Sequence, residues 1–576
     1  MSKKKVCIVG AGSSGLTCAR QMLDYGFDVV LYERSPDIGG LWAYHDDDVE
    51  GRASVMRTTI INTSKEMSAF SDFPPPKDLP NYMHNTKMLG YFRSYADHFG
   101  VTKHVKTRHD VVQVTPAADY EKTGRWDVLV RDLEANTDRT ETYDGVAVCV
   151  GHHVYPNVPH FKGQEKFRGR IVHTHSLKNA DTFRDRRVAV VGIGNSAVDA
   201  VVDASYVALE TYLSTRRGAW VAKRVGPNGM PIDIFLATRL KNYMMRALPE
   251  SVTNDYVENI LNGFFNHEVY GLKPKHRYNA QHPTVNDALP NLILSGKVRV
   301  KKDIVEFTED GVLFEGDDKA TLLDDVILAT GYQIKFPFLP KDVLSVVDNQ
   351  VQLYKYVFPP HLKHPSLAMI GLIQPIGAIF PIAELQSRWM AELLSEKRSL
   401  PSEEAMFENI RKKREHMRRR YVASPRHTIQ VDWINYMDEL ATQIDARPNI
   451  LKYFFTDNEL FRALLGPCVP YQFRLEGPHP WSGARQAILD SRYRVMYPLN
   501  DRCASFERKN KDPLAFLYLF LFFFVLACCI RTFLTTAAFL ITSTILVHLL
   551  PKDSKYKGFF AMPIDVRVLE TGARSR

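Results

Sequence analysis

The chain has 576 residues, enough for several packed domains, and its 45% apolar content is ordinary for a globular protein. The formal charge of +9 is modest at this length, and the basic residues are scattered among acids. Nucleic acid is therefore not indicated as a partner, whereas anionic cofactors and a membrane surface account for the surplus. The seven cysteines show neither metal-ligand spacing nor a CxxC pair, which favours reduced thiols and excludes a disulfide reductase.

The first predicted element is a strand that runs into a glycine turn and a helix, "KKVCIVGAGSSGLTCARQM", with Gly10, Gly12 and Gly15 in the turn. Backbone amides at such a turn, aimed by the helix N-terminus, form a site for a pyrophosphate. The next predicted strand ends at Glu33, whose carboxylate suits ribose hydroxyls and would repel a 2′-phosphate. This first site is predicted to bind FAD or NAD. No apolar segment precedes the strand, which argues against a secretory signal.

A second strand–turn–helix pattern, "RRVAVVGIGNSAVDAV", lies in the middle of the chain, with Ala197 in the permitted third position of the fingerprint. The strand after its helix is followed by two arginines, whose guanidinium groups suit a 2′-phosphate, so this site is predicted to bind NADP. The residues expected to bind it are Gly192, Gly194, Asn195, Ser196, Thr215, Arg216 and Arg217.

Two such sites predict an α/β protein with two Rossmann-like dinucleotide-binding domains. The segments "GVAVCVGHH" and "DDVILATGY" are interpreted as the crossings into and out of an NADPH domain inserted into the FAD domain. The predicted boundaries are 1–154 and 330–445 for the FAD domain, 155–329 for the NADPH domain, about 228–290 for a helical insertion within it, and 446–512 for a C-terminal region and charged linker. The insertion either covers a substrate tunnel or is a plain packing subdomain.

The tail begins with an apolar run over 514–550 that contains only one arginine, Arg531, and one histidine. Since about 20 residues span a bilayer core, residues 513–551 are predicted to be a membrane anchor, one spanning helix with an interfacial or tilted continuation, followed by a tail over 552–576. The basic residues before it are Arg502, Arg508, Lys509 and Lys511. Their position predicts a catalytic part that faces the cytosol on the endoplasmic reticulum.

A charged run and a group of four histidines are both expected to have structural roles. The run 403–420 is predicted to be a helix with a solvated face, and contact with membrane lipid is the alternative. The histidines His152, His153, His173 and His175 lie on crossing segments without ligand-spaced companions. They are expected to be scaffold residues, and no metal site is predicted.

The segment "FRGRIVHTHSL" carries Phe167, Gly169 and His173 in the spacing of flavin-containing monooxygenases, which the chain resembles over essentially residues 1–500. Leu177 stands where that family has Tyr or Phe, a change expected to weaken one packing contact. The segments "MRTTIINTSKEM", "YGLKPKHR" and "RYVASPRHTIQ" are most similar in sequence to the form-five branch of that family.

The resemblance implies FAD and NADPH as cofactors, O₂ as co-substrate, and oxygenation through a C4a-(hydro)peroxyflavin. Its form-five branch implies small lipophilic ketones converted to esters. N- or S-oxygenation of amines and sulfides, an uncoupled NADPH oxidase that releases H₂O₂, and a scaffold protein are the alternatives. The oligomeric state stays open, and a homo-oligomer is among the states allowed.

The resemblance also implies site residues. Asn62, with Thr63 beside it, is expected next to the flavin and nicotinamide, Gln374 against the flavin ring, and the loop Gly40, Leu41 and Trp42 over the flavin nucleotide. An amide suits this place because it donates and accepts hydrogen bonds without titrating. The alternative is that Asn62 only caps a turn, with "TSKE" as a capping box.

Overall fold

The computed structural model describes residues 3–499 except 423, 425 and 426. The predicted anchor over 513–551 and the tail over 552–576 lie outside the described residues. Within the described part of the chain, no helix has both the length and the hydropathy needed to cross a membrane.

The first sheet has five parallel strands. In spatial order they are Leu367–Met369, Gly145–Val148, Lys5–Val9, Asp28–Glu33 and Val105–Thr107. The central strands are short, buried, β-branched runs, as expected for a parallel sheet covered on both faces. Its helices are Ser13–Asp24, Asn85–His98 and Phe380–Leu394. Every residue of the last is buried, so it forms part of the core.

The second sheet also has five parallel strands. In spatial order they are Val298–Lys301, Glu210–Ser214, Arg187–Val191, Asp325–Leu328 and Arg170–His173. Helices Asn195–Ser205 and Leu289–Leu294 belong to this sheet, and Val198 and Leu292 pack in one core with its strands. Both sheets thus have the Rossmann-like parallel architecture that the two glycine turns predicted.

The crossings between the two sheets run side by side. The chain leaves the first sheet after Gly145–Val148 and returns after Asp325–Leu328. Just beyond these strands, Tyr155–Pro156 pairs with Tyr332–Gln333 in an antiparallel ladder. The second sheet is therefore inserted, in sequence, between strands of the first. We call the part of the fold built on the first sheet the first domain and the inserted part the second domain.

Smaller elements complete the described fold. Two three-stranded antiparallel sheets consist of His109–Pro116, Trp126–Asp132 and Thr137–Tyr143, and of Ile304–Phe307, Gly311–Phe314 and Thr321–Leu322. The two-stranded pairs are Val221–Ala222 with Thr284–Val285, Val346–Val347 with Gln350–Val351, and Gln374–Pro375 with Gln430–Val431. The remaining α-helices are Tyr120–Thr123, Ile232–Leu236, Arg239–Ala247, Glu250–Phe264, Glu403–Arg420, Trp433–Thr442, Ile450–Thr456, Asn458–Leu465 and Ala484–Met496. As predicted, the charged run is a largely solvated helix, with only Met406 and Ile410 buried.

A buried ionic cluster joins distant parts of the first domain. The Arg474 guanidinium contacts Glu384 Oε1 at 2.8 Å and Asp72 Oδ2 at 3.1 Å, and it donates to Gln21 Oε1 at 3.0 Å. Glu384 also accepts from the Ser71 backbone N–H at 2.7 Å. The cluster therefore ties the C-terminal segment to the helix that follows the first glycine turn.

Candidate functional site

The first glycine turn is too tight for any side chain. Gly10 has φ +97°, and a Cβ on it would lie 2.9 Å from the Cys149 carbonyl oxygen. A Cβ on Gly15 would lie only 1.8 Å from the Gly10 carbonyl oxygen. Gly12 caps helix Ser13–Asp24 without a side-chain hydrogen bond, which leaves first-turn amides for an anion. The turn thus fits the pyrophosphate of a dinucleotide.

Glu33 ends its strand beside this turn, as predicted. It is buried, its Oε2 accepts from the Ala11 N–H at 2.8 Å, and its Oε1 accepts from the Ser35 N–H at 2.8 Å. A carboxylate has about four lone-pair sites, so two backbone bonds hold it in place and leave acceptors for ribose hydroxyls. These residues fit the adenosine side of FAD.

The loop after Glu33 lies directly on the glycine turn. The Gly39 N–H donates to the Ala11 carbonyl oxygen at 2.9 Å. Gly40 has φ +54°, and a Cβ there would lie 2.9 Å from Gly12 Cα. The Trp42 ring meets the Phe380 ring edge-on at 6.4 Å between centroids. This arrangement suits a loop that covers the nucleotide.

The second glycine turn repeats the geometry of the first. Gly192 has φ +125°, and a Cβ on it would lie 2.5 Å from the Ala329 carbonyl oxygen. Gly194 caps helix Asn195–Ser205, again without a side-chain bond. The Asn195 side chain accepts from the Val285 N–H at 2.8 Å, which fixes the start of the helix. This turn also fits a pyrophosphate.

Three residues that follow strand Glu210–Ser214 differ in their surroundings: one is structural, and two are exposed cations. Thr215 is buried, and its Oγ1 accepts from the Gly218 N–H at 3.0 Å, which closes the turn. Arg216 and Arg217 are exposed and make no hydrogen bond or ion pair with any residue that the structure describes. Two unpaired guanidinium groups are available for a 2′-phosphate.

One cavity of about 510 Å³ brings residues of both predicted sites together. The predicted site residues in its lining are Leu41, Trp42, Asn62, Thr63, Gly194, Asn195, Ser196 and Gln374. The predicted residues outside its lining are Gly10, Gly12, Gly15, Glu33, Gly40, Gly192, Thr215, Arg216 and Arg217. Much of the remaining lining is apolar, including Ile60, Ile61, Ile232, Leu236 and Ile379. Such a lining suits a lipophilic molecule.

The Asn62 side chain is oriented by a cation. Its Oδ1 accepts from Arg224 Nη2 at 2.6 Å, and Arg224 in turn pairs with Asp287 at 3.1 Å. No helix starts at the "TSKE" segment, and no backbone N–H of a described residue donates to Asn62. The capping box of the turn-cap alternative is therefore absent, and that alternative is not supported. Thr63 Oγ1 shares a hydrogen bond with Ser68 Oγ at 2.6 Å.

Two carboxyls and one histidine in the lining were not found by sequence reasoning. Asp199 and Asp233 face the cavity, and the protein around them, by excluding water, raises the pKa of each carboxyl to about 6. His282 is the third, and its Nδ1 lies 3.4 Å from Gln430 Nε2. The single acid in the apolar stretch "GMPIDIF" was the one local signal, for Asp233. Perturbed carboxyls in a cavity are candidates for functional roles.

The four histidines lie around the interdomain crossings. The rings of His153, His173 and His175 surround Tyr332 at 5.2 to 6.2 Å between centroids. Burial lowers the pKa of His173 to about 4. Nowhere in the described part of the chain do three His, Cys, Asp or Glu side chains form a group that could hold a metal ion.

Leu177 does not disturb the second domain. Its side chain is buried in a core shared with Phe183, Val190 and Leu213. Gly169 belongs to the same segment, and a Cβ there would lie 2.4 Å from the Phe167 ring. The segment therefore packs against the core with leucine at its last position.

The sequence matches the flavin-binding monooxygenase-like family (FMO-like) over residues 3–536. It is 48% identical to "Flavin-containing monooxygenase 5" of Rattus norvegicus over 505 residues, which cover 87% of this chain and 94% of that protein. Among solved structures, S-allyl-L-cysteine S-oxygenase from Allium sativum has a TM-score of 0.59 at 24% identity, and covers 84% of this chain and 99% of its own. Open cyclohexanone monooxygenase has a TM-score of 0.56 at 16% identity, and covers 77% of this chain and 98% of its own.

Proposed function

The chain belongs to the flavin-binding monooxygenase-like family, in its form-five branch, and on that basis we propose that it oxygenates small lipophilic ketones to esters. As a member of the family it is a flavin-dependent monooxygenase that uses FAD and NADPH. The observation that carries the proposal is the shared cavity, because it places Asn62 among residues of both predicted nucleotide sites.

Bound FAD, once reduced by NADPH, supplies the chemistry that activates O₂. The chain itself has to bind and orient the two cofactors and exclude water from the reacting atoms. The two glycine turns and Glu33 would bind the two cofactors, and the apolar lining would exclude water from the reacting atoms. No nucleophilic triad is required for this reaction.

Asn62 presents a hydrogen-bond donor to the cavity. Its Oδ1 is occupied by Arg224, and an amide with its oxygen engaged offers the N–H groups elsewhere. A fixed, non-titrating donor can stabilise negative charge on oxygen without supplying a proton. The Arg224 cation behind the amide strengthens that donor by polarising it.

The choice of ketones follows from what the resemblance to the form-five branch implies, and the cavity's apolar lining is compatible with a lipophilic ketone. The test offers a lipophilic ketone and a matched sulfide together to the purified enzyme. Ester as the main product supports the proposal. Sulfoxide as the main product, or H₂O₂ alone, would assign the protein to S-oxygenation or to NADPH oxidation.

The role of Asn62 is tested by Asn62→Ala, with Asn291→Ala at an exposed site as the matched control. Removal of one preorganised donor typically lowers the rate of the step it serves by roughly 10²–10³-fold. We expect H₂O₂ released per NADPH to rise towards one in Asn62→Ala, while flavin reduction by NADPH stays nearly intact. An unchanged product-to-NADPH ratio would refute the role.

The apolar run over 514–550 supports a second part of the proposal, a C-terminal anchor in the endoplasmic reticulum membrane with the catalytic part in the cytosol. Truncation after Asp512 should give a protein that stays in the supernatant and keeps its flavin. In sealed microsomes, protease should digest the catalytic part of the full chain. Protection of that part would refute the topology.

A further inference from the structure

A carboxylate from the second domain holds the turn that carries Asn62. Asp233 Oδ2 accepts from the backbone N–H of Ser64 at 2.6 Å, although the two residues are 169 positions apart. Ser64 lies two residues after Asn62, on the side of the first domain. Asp233 lies on helix Ile232–Leu236, in the segment inserted into the second domain. The bond therefore links the two domains at the wall of the cavity.

The geometry requires both oxygens of the carboxylate. While Oδ2 accepts from Ser64, Oδ1 accepts from the Ile234 N–H at 2.9 Å. An amide in the same place has a single oxygen and would turn an NH₂ group towards one of the two donors. Among the described residues, no lysine or arginine forms an ion pair with Asp233, so its ordered partners are the backbone N–H groups of Ser64 and Ile234.

The position has the properties of a functional residue. Asp233 lines the same cavity as Asn62, and the exclusion of water raises the pKa of its carboxyl to about 6. An ionised group in a dry place destabilises a fold. A charged acceptor without a counter-cation is therefore unexpected unless the position of the turn matters.

We propose that Asp233 is a positioning residue that holds the turn carrying Asn62 against the second domain, so that the Asn62 amide stays directed into the cavity. The inference rests on the proposed function. Arg224 fixes the rotation of the amide, whereas Asp233 fixes the place of the backbone that carries it. Loss of the hydrogen bond between Asp233 and Ser64 lets the turn move, and the Asn62 amide is then no longer positioned to donate to the reacting oxygen.

A matched control exists in the same interface. Asp203, on helix Asn195–Ser205, accepts from the Thr58 hydroxyl, so it too joins the second domain to the first. It does not line the cavity, and the exclusion of water raises the pKa of its carboxyl as well. Asp203→Asn thus removes a comparable interdomain carboxylate without touching the Asn62 turn.

The test compares Asp233→Asn, Asp233→Ala and Asp203→Asn in the FAD-loaded full chain. The first readout is amide hydrogen exchange in a peptide over 60–70, which should rise about tenfold in both Asp233 variants and stay unchanged in Asp203→Asn. The second readout is H₂O₂ released per NADPH, which should rise several-fold in the Asp233 variants only. The KM for NADPH and the rate of flavin reduction should stay within about twofold of the parent.

The possible results separate the inference from the proposed function. Unchanged exchange over 60–70 overturns the inference, and so does increased exchange with the parent's H₂O₂ ratio. An equal rise of the H₂O₂ ratio in Asp203→Asn also overturns it, because the effect would then belong to the interface in general. If the parent forms no oxygenated product, the proposed function fails, while the exchange readout still tests the hydrogen bond between Asp233 and Ser64.

Discussion

Removal of the Arg474 guanidinium by Arg474→Met should destabilise the first domain strongly. The variant leaves the buried Glu384 with only its contacts to Ser71, and it leaves Asp72 with Arg20 at 3.7 Å. Removal of one partner from a buried ion pair typically costs about 3–5 kcal/mol, because the other charge stays buried without compensation. Arg485→Met is the matched control, since Arg485 pairs with Asp457 at the surface and exposed pairs contribute about 0–1 kcal/mol.

The expected shift of the thermal midpoint follows from the size of the compact unit, which contains both domains. An unfolding entropy of about 2.1 cal/mol/K per residue amounts to ~1 kcal/mol/K for the compact unit Met1–Ala504. Arg474→Met should therefore lower the midpoint by about 3–5 °C and Arg485→Met by less than about 1 °C. Flavin fluorescence on release of FAD, followed together with circular dichroism, measures both.

The pH dependence of the stability loss in Arg474→Met is a second test of the same reasoning. Arg474 holds the pKa of Glu384 below its usual value, and without that cation the pKa should rise above the unfolded value. An acid with a raised pKa destabilises the fold when it ionises, so the deficit of Arg474→Met should be larger at pH 8 than at pH 5.5. Equal midpoints for Arg474→Met and Arg485→Met, or a deficit that shrinks as pH rises, would refute the reasoning.

Three other outcomes are expected. Gly15→Ala should abolish FAD retention, because its Cβ would lie 1.8 Å from the Gly10 carbonyl oxygen, and a yellow purified variant would contradict this. Arg216→Gln should raise the KM for NADPH about tenfold, equivalent to ~1.4 kcal/mol, with NADH kinetics as the control; equal use of both nucleotides by the parent would refute the NADP assignment. His267 accepts from the Val221 N–H, and burial lowers the pKa of its imidazole to about 4. Since the unfolded chain binds that proton near pH 6.5, parental stability should fall from pH 6.5 to 4, and an equally steep fall in His267→Gln would contradict this.

The elements that sequence predicted well are those with local patterns. The second strand ends at Glu33 as expected, because a buried apolar run, a glycine turn and an acid are read within about 20 residues. The same holds for Arg216, which lies two residues after the end of strand Glu210–Ser214. Local spacing also placed both glycine turns, since each turn is built from neighbouring residues.

The contacts that sequence could not predict join distant positions. Arg224 and Asn62 are 162 positions apart, and only the packed domains bring them together. The capping box that the "TSKE" pattern offered as an alternative is absent for the same reason. Glu66, the acidic residue of that pattern, is buried and accepts from Tyr471 Oη at 2.7 Å and from Arg494 Nε at 2.9 Å. Tertiary contacts thus overrode a local preference.

The ladder between Tyr155–Pro156 and Tyr332–Gln333 bears on how such a chain can be rearranged. The ladder holds the two ends of the long insert side by side. The insert is therefore a closed loop with respect to the rest of the chain, and the entropic cost of closing that loop is part of the folding of the insert itself. An insert with adjacent ends can be exchanged between homologues at these two points. An exchanged insert also has to keep the contacts of Asp233 with Ser64 and of Arg224 with Asn62, because these join it to the flavin-side domain.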